Sequence, residues 1–514
     1  MLQPPSLEPY ASVSFQHKQP TSPYPGDKET SGHRDAFLDA LLQRSGALGR
    51  QRRWRRYRGR ILAAAFILAL FLIYFSNTLL IYAAFLRIKL DNALFDSRWL
   101  PCGVLRKEPI LYIQDTEHVQ VVWEMNCIPR GSEPTMQISW QHKAQDEKQQ
   151  KKSVDAVVLD DRHTLFKATI GPLDKSGQYE YQITHQRRPV ARHQFRWHAK
   201  ETTQPIRIAA MADNQFGLLT FVSLLRQVNK NVDYLLHAGD AVQNYPSLRQ
   251  WQTDFAGPLT YFGLGQRMPM IYAHGNHDHD PLYEYHYTRV GPSNDPWFAF
   301  SLANGAIRFV VLDSNLDWQQ QDTWLQSELA SAAFQEAQFR VIVVHVPPFL
   351  EYWDPEAWFE KHQSEWGAFV KNRFVPLFEK YGVDLVISGH QHNYERGSRN
   401  GIHYTIIGGA GGDIDTERVE DYNMYESTLT DFHHVLLEFL PPVEQGGNWR
   451  LVWEMYDLRG NNMDSMQITA KSRSPMEQII VDDDEQQQQG AVAKDAIEEL
   501  TFRELVEDDP PETN

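Results

Sequence analysis

Residues 206–215 read IRIAAMADNQ, an apolar run that stops abruptly at Asp213, Asn214 and Gln215. A short apolar run bounded by polar residues is the pattern of a strand buried on both faces. The design recurs down the chain. DYLLHAG (233–239) is followed by Asp240, and PMIYAHG (269–275) by Asn276, His277 and Asp278. FRVIVV (339–344) precedes His345, VDLVISG (383–389) precedes His390, Gln391 and His392, and HYTIIGG occupies 403–409. Amphipathic stretches lie between several of these runs, among them FGLLTFVSLLRQVNK (216–230) and SEWGAFVKNRFVPLFEKYG (364–382). Strand–helix alternation predicts an α/β layered sheet over residues 205–465. Asn304-Gly305 inside FAFSLANGAIRFVVLD (298–313) marks one hairpin.

The residues after the runs carry the chemistry. Open α/β sheets bind ligands beyond the carboxyl ends of their strands. Five such ends would bring Asp, Gln, Asn and His donors to one rim. Singly, each has a plainer reading: an Asp after a strand is ordinarily a turn residue or helix cap, and a lone His after an apolar strand is ordinarily a satisfied core residue. His390 and His392 are alternate residues of an extended segment, so they face opposite sides and could serve two ions. Together, oxygen and imidazole donors at five strand ends are costly to place without a partner cation. Carboxylate, amide oxygen and imidazole suit divalent first-row metals such as Mn, Fe, Zn or Ni rather than a thiolate zinc site. A carboxylate can bridge two such ions, and a metal pair can clamp a phosphate and stabilise both the attacking and the leaving oxygen.

These residues resemble the calcineurin-like metallophosphoesterase superfamily, whose motifs occur here in the family order. GHQHNYER (389–396), HVPPF (345–349) and GGAGG (408–412) are most similar to its purple acid phosphatase branch. The resemblance implies a four-layer β-sandwich flanked by helices, preceded by a small fibronectin III-like domain. It implies that Asp213 and His392 bind a first metal, that Asp240 bridges, and that Asn276, His345 and His390 bind a second. His277 would face the substrate as proton donor or charge stabiliser, with Asp278 orienting it. The chain departs from the pattern at two positions. Gln215 stands where most of the superfamily has His, and Gln243 where purple acid phosphatases have Tyr. Gln215 is assigned as a metal ligand through its carbonyl oxygen. Without a tyrosinate, neither a purple chromophore nor acid phosphatase activity is implied.

The remainder of the chain sets the compartment. Residues 61–86 hold 26 residues without a charge, preceded by seven arginines between Arg50 and Arg60. A bilayer core needs about 20 apolar residues as helix, and the positive-inside rule then leaves the N-terminus cytoplasmic and the rest outside. The absence of any Asn-x-Ser/Thr acceptor points to a bacterial inner membrane facing the periplasm. Cys102 and Cys127 are either inert core thiols or one disulfide, and an exported domain favours the disulfide. The net charge of −16 belongs largely to the tails: residues 1–60 carry +6 and residues 471–514 carry −9. No basic run on the folded part predicts a nucleic-acid groove. Residues 1–60 are expected to form a disordered basic tail and 471–514 a disordered acidic one.

Alternating runs such as HVQVVWEM (118–125), MQISWQH (136–142) and YEYQITH (179–185) predict an all-β domain over 100–200, with AQDEKQQKKS (144–153) as a solvated loop. The aromatic segment 350–366 is either a lid over the rim or a helix packed on the body. His274 and His279, flanking the Asn-His pair, are expected to be structural. The sum is a membrane-anchored dinuclear phosphoesterase that hydrolyses phosphomonoesters or phosphodiesters by attack of a metal-bound hydroxide. Its rivals are a nucleotide or lipid-phosphate phosphohydrolase and a non-catalytic envelope-binding protein on a relic fold.

Overall fold

Alternate residues of the strand Ile206–Met211 face two different cores, and this decides the architecture. Ile206, Ile208 and Ala210 point inward against Phe309, Val341, Val343 and Ile387 of a second sheet. Ala209 and Met211 point outward against Phe221, Leu224, Trp251 and Phe255. On the far side, Val310, Ile342, Val344 and Val386 pack against Leu325, Phe374 and Phe378. The result is helix layer, sheet, sheet, helix layer, the four-layer arrangement expected from the sequence.

The computed structural model describes residues 31–95, 101–127, 136–144, 149–154, 156–199, 204–228, 231–278, 287–288, 291, 295–315, 318–362, 365–444 and 447–471. Residues 1–30 and 472–514, to which the tail expectations largely refer, lie outside them, as does His279. The chain forms two units, Met1–Asn77 and Thr78–Asn514.

The larger sheet of the second unit has ten strands. Its centre is built from Ile206–Met211, Tyr234–His237 and Met270–Tyr272, paired in parallel. The seven-stranded sheet is centred on Ile307–Leu312, Phe339–Val344, Leu385–Ser388 and Ile402–Ile407, also parallel. Parallel neighbours end at the same rim, so each sheet delivers its post-strand residues together. The expected hairpin forms: Phe298–Leu302 pairs antiparallel with Ile307–Leu312, and Ala303, Asn304 and Gly305 all take positive φ. The helix expected over 216–230 forms at Leu218–Gln227. The one expected over 364–382 divides into Glu365–Arg373 and Val375–Tyr381, parted just ahead of Pro376, whose missing N–H and ring resist a continuous helix.

The all-β region is less separate than the sequence reading had it. Gln150–Ser153, Met136–His142, Gly177–His185 and Arg188–Trp197 form a four-stranded sheet of their own. Leu105–Ile113, Val119–Asn126, His163–Ile170 and Ala156–Val158 instead extend the ten-stranded sheet, joined through the parallel pair Tyr112–Met270. Leu111, Tyr112 and Ile113 are fully buried, and a strand covered on both faces belongs inside a larger sheet. Part of the predicted solvated loop is the exposed edge strand Gln150–Ser153. Cys102 and Cys127 are joined by a disulfide.

Residues 31–60, read from the sequence as a disordered tail, belong to the helix Ser31–Tyr74. After Pro25 this stretch has no proline and is rich in Ala, Leu and Arg, all good helix formers. The apolar run 61–86 is not one helix. Phe75 separates Ser31–Tyr74 from Ser76–Phe95, and the Ser76 hydroxyl bonds back to the Ile73 carbonyl at 2.8 Å. Among the described residues no single helix is long and apolar enough to cross a membrane. The pair Arg60–Tyr74 and Ser76–Leu94 reaches that length and composition only together.

Candidate metal centre

The rim is assembled from the ends of five parallel strands, and the backbone is bent sharply to do it. Asp213, Asp240 and His390 all adopt left-handed φ, at 60°, 55° and 69°. Such conformations cost about 1–3 kcal/mol for non-glycine residues and persist where surrounding structure over-determines them. Here it does: Asp213 N–H donates to the Gly239 carbonyl (3.0 Å), and His390 N–H to Asp213 Oδ2 (2.9 Å). Gly275 is required for a different reason. A Cβ there would lie 1.9 Å from Asp240 Oδ1.

Asp240, His345 and His390 each offer one ligand atom, and these atoms lie within 4.8 Å of one another. His345 Nδ1 is committed to the Ala238 carbonyl at 2.8 Å, which leaves Nε2 facing the cavity, 3.3 Å from Asp240 Oδ2. Asn276 Oδ1 sits between the two rings, 3.1 Å from His345 Nε2 and 2.9 Å from His390 Nδ1. These four residues are the group the sequence assigned to the second metal and its bridge.

The first-metal group lies on the other side of Asp240. His392 Nε2 is 3.7 Å from Asp213 Oδ1 and 3.2 Å from the Gln215 amide, which is in turn 3.4 Å from Asp240 Oδ2. His392 Nδ1 donates to the Asp413 carbonyl at 2.8 Å, aiming Nε2 inward. Asp213 Oδ1 and Gln215 Oε1 are buried acceptors with no hydrogen-bond donor among the described residues. Buried acceptors without donors are costly. Asp213 Oδ1 beside the inward-facing His392 imidazole fits a cation, and Gln215, whose amide nitrogen faces His392 and Asp240, would offer its oxygen there on rotation of the amide, so the residues present suit the ions the donor chemistry implies.

Electrostatics point the same way. Burial pushes the Asp240 carboxyl up, yet His345 and His277 beside it hold it below the usual carboxylate range. His345 moves up to about 9: burial opposes its charge, but Asp240 outweighs that. Asp213 is driven well above the ordinary range by burial, with the Asp240 charge adding to the effect. Burial, reinforced by His345, holds His390 well below the usual histidine range. A site that holds Asp240 ionised, resists ionising Asp213 and keeps the His390 imidazole neutral is suited to added positive charge.

His277 stands apart from the donor set. Its ring Nδ1 donates to the Gln243 carbonyl at 3.0 Å and its backbone N–H to Asp240 Oδ1 at 2.9 Å. That tautomer leaves Nε2 available at the half-buried edge. Asp278 does not touch the His277 ring. Its carboxylate accepts from the N–H groups of Asp240 (2.8 Å), Ala241 (2.9 Å) and Gly275 (3.0 Å) and from the Tyr272 hydroxyl (2.7 Å). It braces the two loops that carry Asp240 and Asn276 instead of orienting the histidine. His274 is buried and bonded to Thr288 at 2.9 Å, a structural role as expected.

Three contributors were not singled out in the sequence. The ring of Trp353 stacks on that of His390, 4.5 Å between centroids and 21° between planes, so the aromatic segment after His345 does reach the rim. Asp415 accepts the His392 N–H at 2.6 Å. Gln391 bonds Asn393 and Glu395 through its amino group and accepts from Glu351 and Tyr352, tying the His390–His392 turn to the Trp353 loop. Only the aromatic density of 350–366 signalled any of these contacts in advance.

Comparison with known proteins follows this geometry. Residues 206–394 match the family model described as calcineurin-like phosphoesterase. Purple acid phosphatase 1 of Ipomoea batatas is 32% identical over 158 residues, 27% of this chain and 31% of that protein. The Arabidopsis thaliana protein named "Probable inactive purple acid phosphatase 24" is 24% identical, over 51% of this chain and 49% of its own. The chain thus spans about a third to a half of the length of these curated relatives. The purple acid phosphatase PPD1 structure from yellow lupin superposes with a TM-score of 0.59 at 17% identity, covering 73% of this chain and 78% of that one, a likeness of fold.

Proposed function

We propose that this member of the calcineurin-like phosphoesterase superfamily, which falls in its purple acid phosphatase-like branch, is a dinuclear-metal phosphoesterase anchored in a membrane, with its catalytic domain outside the cytoplasm. The observation that carries the reading is the Asp240–His345–His390 cluster, whose ligand atoms lie within 4.8 Å of one another, together with the buried, donorless Asp213 Oδ1 beside His392. Asp213, Gln215 and His392 would hold one ion, Asn276, His345 and His390 the other, and Asp240 both. When bound, such ions supply Lewis acidity at the phosphoryl group and make water nucleophilic near neutral pH. The chain supplies the rest. The Gln243 carbonyl fixes the His277 tautomer, so Nε2 can stabilise charge on the leaving oxygen or deliver a proton to it. Trp353 shields one face of His390 from water. Asp278 keeps the Asp240 and Asn276 loops in register.

The anchored, exported reading is supported by the arginine-rich segment before a long apolar run and by the Cys102–Cys127 disulfide, which persists in oxidising compartments. The four-stranded sheet Gln150–Ser153, Met136–His142, Gly177–His185 and Arg188–Trp197, with the adjoining edge of the ten-stranded sheet, would serve as the fibronectin-like part. A second reading, a binding protein on a relic site, draws on two observations: Gln215 replaces the usual His, and two relatives carry the word inactive in their names. Purified full-length protein loaded with Mn, Fe, Zn or Ni separates the two. About two bound ions with phosphate release from an aryl phosphate or aryl phosphodiester supports the hydrolase. Folded protein without ions or turnover leaves the binding reading.

A further inference from the structure

The segment Thr78–Phe95 (TLLIYAAFLRIKLDNALF) is helical and has two apolar faces, of which the catalytic domain uses one. Ala84 and Ile88 are buried against Leu218 and Val222, with Ile81 and Phe85 packed beside them. One turn on, the Asn92 amide donates to the Thr253 hydroxyl at 2.7 Å. At 3.6 residues per turn, this docked face and the row Leu79, Tyr82, Ala83, Leu86 and Leu90 are centred about 180° apart. The large side chains of that row are exposed: Leu79 47%, Tyr82 51%, Leu86 64% and Leu90 54%.

Single exposed leucines are ordinary. A continuous stripe of them, on a helix whose opposite face already satisfies the core, marks an interaction surface. Arg87 and Lys89 fall about 80° to either side of the stripe, where long basic side chains can reach lipid phosphates while their stems lie along apolar surface. The only acid in the segment, Asp91, is held by Arg87 at 2.8 Å. The stripe also begins inside the charge-free run 61–86.

We infer that Thr78–Phe95 is an interfacial helix: its Ala84–Ile88 face is fixed to the catalytic domain, and its Leu79–Leu90 stripe lies in the surface of a lipid bilayer. The inference deepens the anchored reading and rests on it. The helix would then mount the catalytic domain on the bilayer surface. Leu218, in the docked contact, is three residues from Gln215 in the chain. Between them, Phe216 is 61% exposed. Phosphate esters presented at a lipid surface are the substrates such a mount favours.

The test uses full-length protein in phosphatidylcholine–phosphatidylglycerol vesicles, fluorescently labelled at Leu90→Cys, Leu68→Cys or Gln326→Cys. Gln326 is an exposed residue of the helix Trp318–Ala330 and serves as the aqueous control. Lipids spin-labelled near the headgroup should quench the Leu90 label about threefold or more beyond the Gln326 label. If the Leu68 label is quenched by deep spin labels and the Leu90 label behaves as Gln326 does, the span stands and the interfacial helix falls. If neither is quenched, both fall. Energy transfer between Leu90 labels of different copies, without lipid quenching, would assign the stripe to a second copy of the chain and overturn the lipid proposal. None of these readouts depends on phosphoesterase activity.

Discussion

Gln215 places its side-chain amide 3.2 Å from the imidazole of His392, across 177 residues of sequence, while its own carbonyl oxygen meets no donor among the described residues. The pairing turns on one side chain with a donorless oxygen, so Gln215 is an informative position to change. Gln215→Leu keeps most of the volume and removes the oxygen. Affinity for the ion held by Asp213 and His392 should fall about 10–100-fold. Gln215→His should retain that ion at least as well as the native chain. Metal retention after dialysis, read by elemental analysis, checks both.

Asp240→Asn and His277→Ala are expected to separate holding ions from using them. Each should lower turnover of an aryl phosphate by about 100-fold or more. Only the Asp240 variant should also lose metal, because the His277 ring bonds the Gln243 carbonyl and lies outside the donor set. Full metal content in both variants with native rates would refute the assigned roles.

Gly275→Ala brings a methyl group into the Asp240 carboxylate, 1.9 Å from Oδ1 and 2.4 Å from the backbone nitrogen. The backbone cannot yield there without moving Asn276. Loss of bound metal and about 2 kcal/mol of destabilisation should follow. Urea unfolding with and without added metal measures both.

Trp353→Ala removes the ring stacked on His390 and opens that face to water. Metal affinity should weaken about tenfold while the fold persists, because the side chain is only half-buried. Equal metal affinity in the variant would make the stack incidental.

Far from the rim, Glu124 is fully buried, with Lys107 against it, Arg106 at 3.0 Å, His163 at 2.6 Å and the Tyr287 hydroxyl at 2.5 Å. Burial pushes its carboxyl up, but Lys107 and His163 prevail and bring it from 4.5 to about 2. A carboxyl whose folded value lies below its unfolded value stabilises the protein above the unfolded value, and that stability is lost as pH falls toward the folded one. The contribution is about 3 kcal/mol, present above pH ~4.5 and lost progressively toward pH ~2. Glu124→Gln should therefore be less stable at pH 7 and less sensitive to acid than the native chain. Parallel stability–pH curves for the two would remove Glu124 from the account.

The donors at the strand ends were legible because each follows a short, largely apolar run. Runs of this length bounded by polar and turn residues read as strands buried on both faces, and neighbouring parallel strands end at a common rim. Asp213, Gln215, Asp240, Asn276, His345, His390 and His392 follow from that local pattern, and the structure gathers all seven. Asp278 misled for a physical reason: adjacency in sequence to His277 says nothing about where a side chain in a tight turn finds its donors, and it found them in the backbone of the neighbouring loop. The boundary at residue 200 failed similarly, since a strand's spatial neighbour is set by register and not by chain order. Sequence by itself determined the buried strands and the polar residues that end them, because periodicity and burial are properties of short segments. Only the tertiary structure decided which loop Asp278 braces, that Trp353 covers His390, and that one face of Thr78–Phe95 is taken while the other stays open. Those outcomes depend on contacts between residues tens to hundreds of positions apart, whose geometry no local pattern encodes.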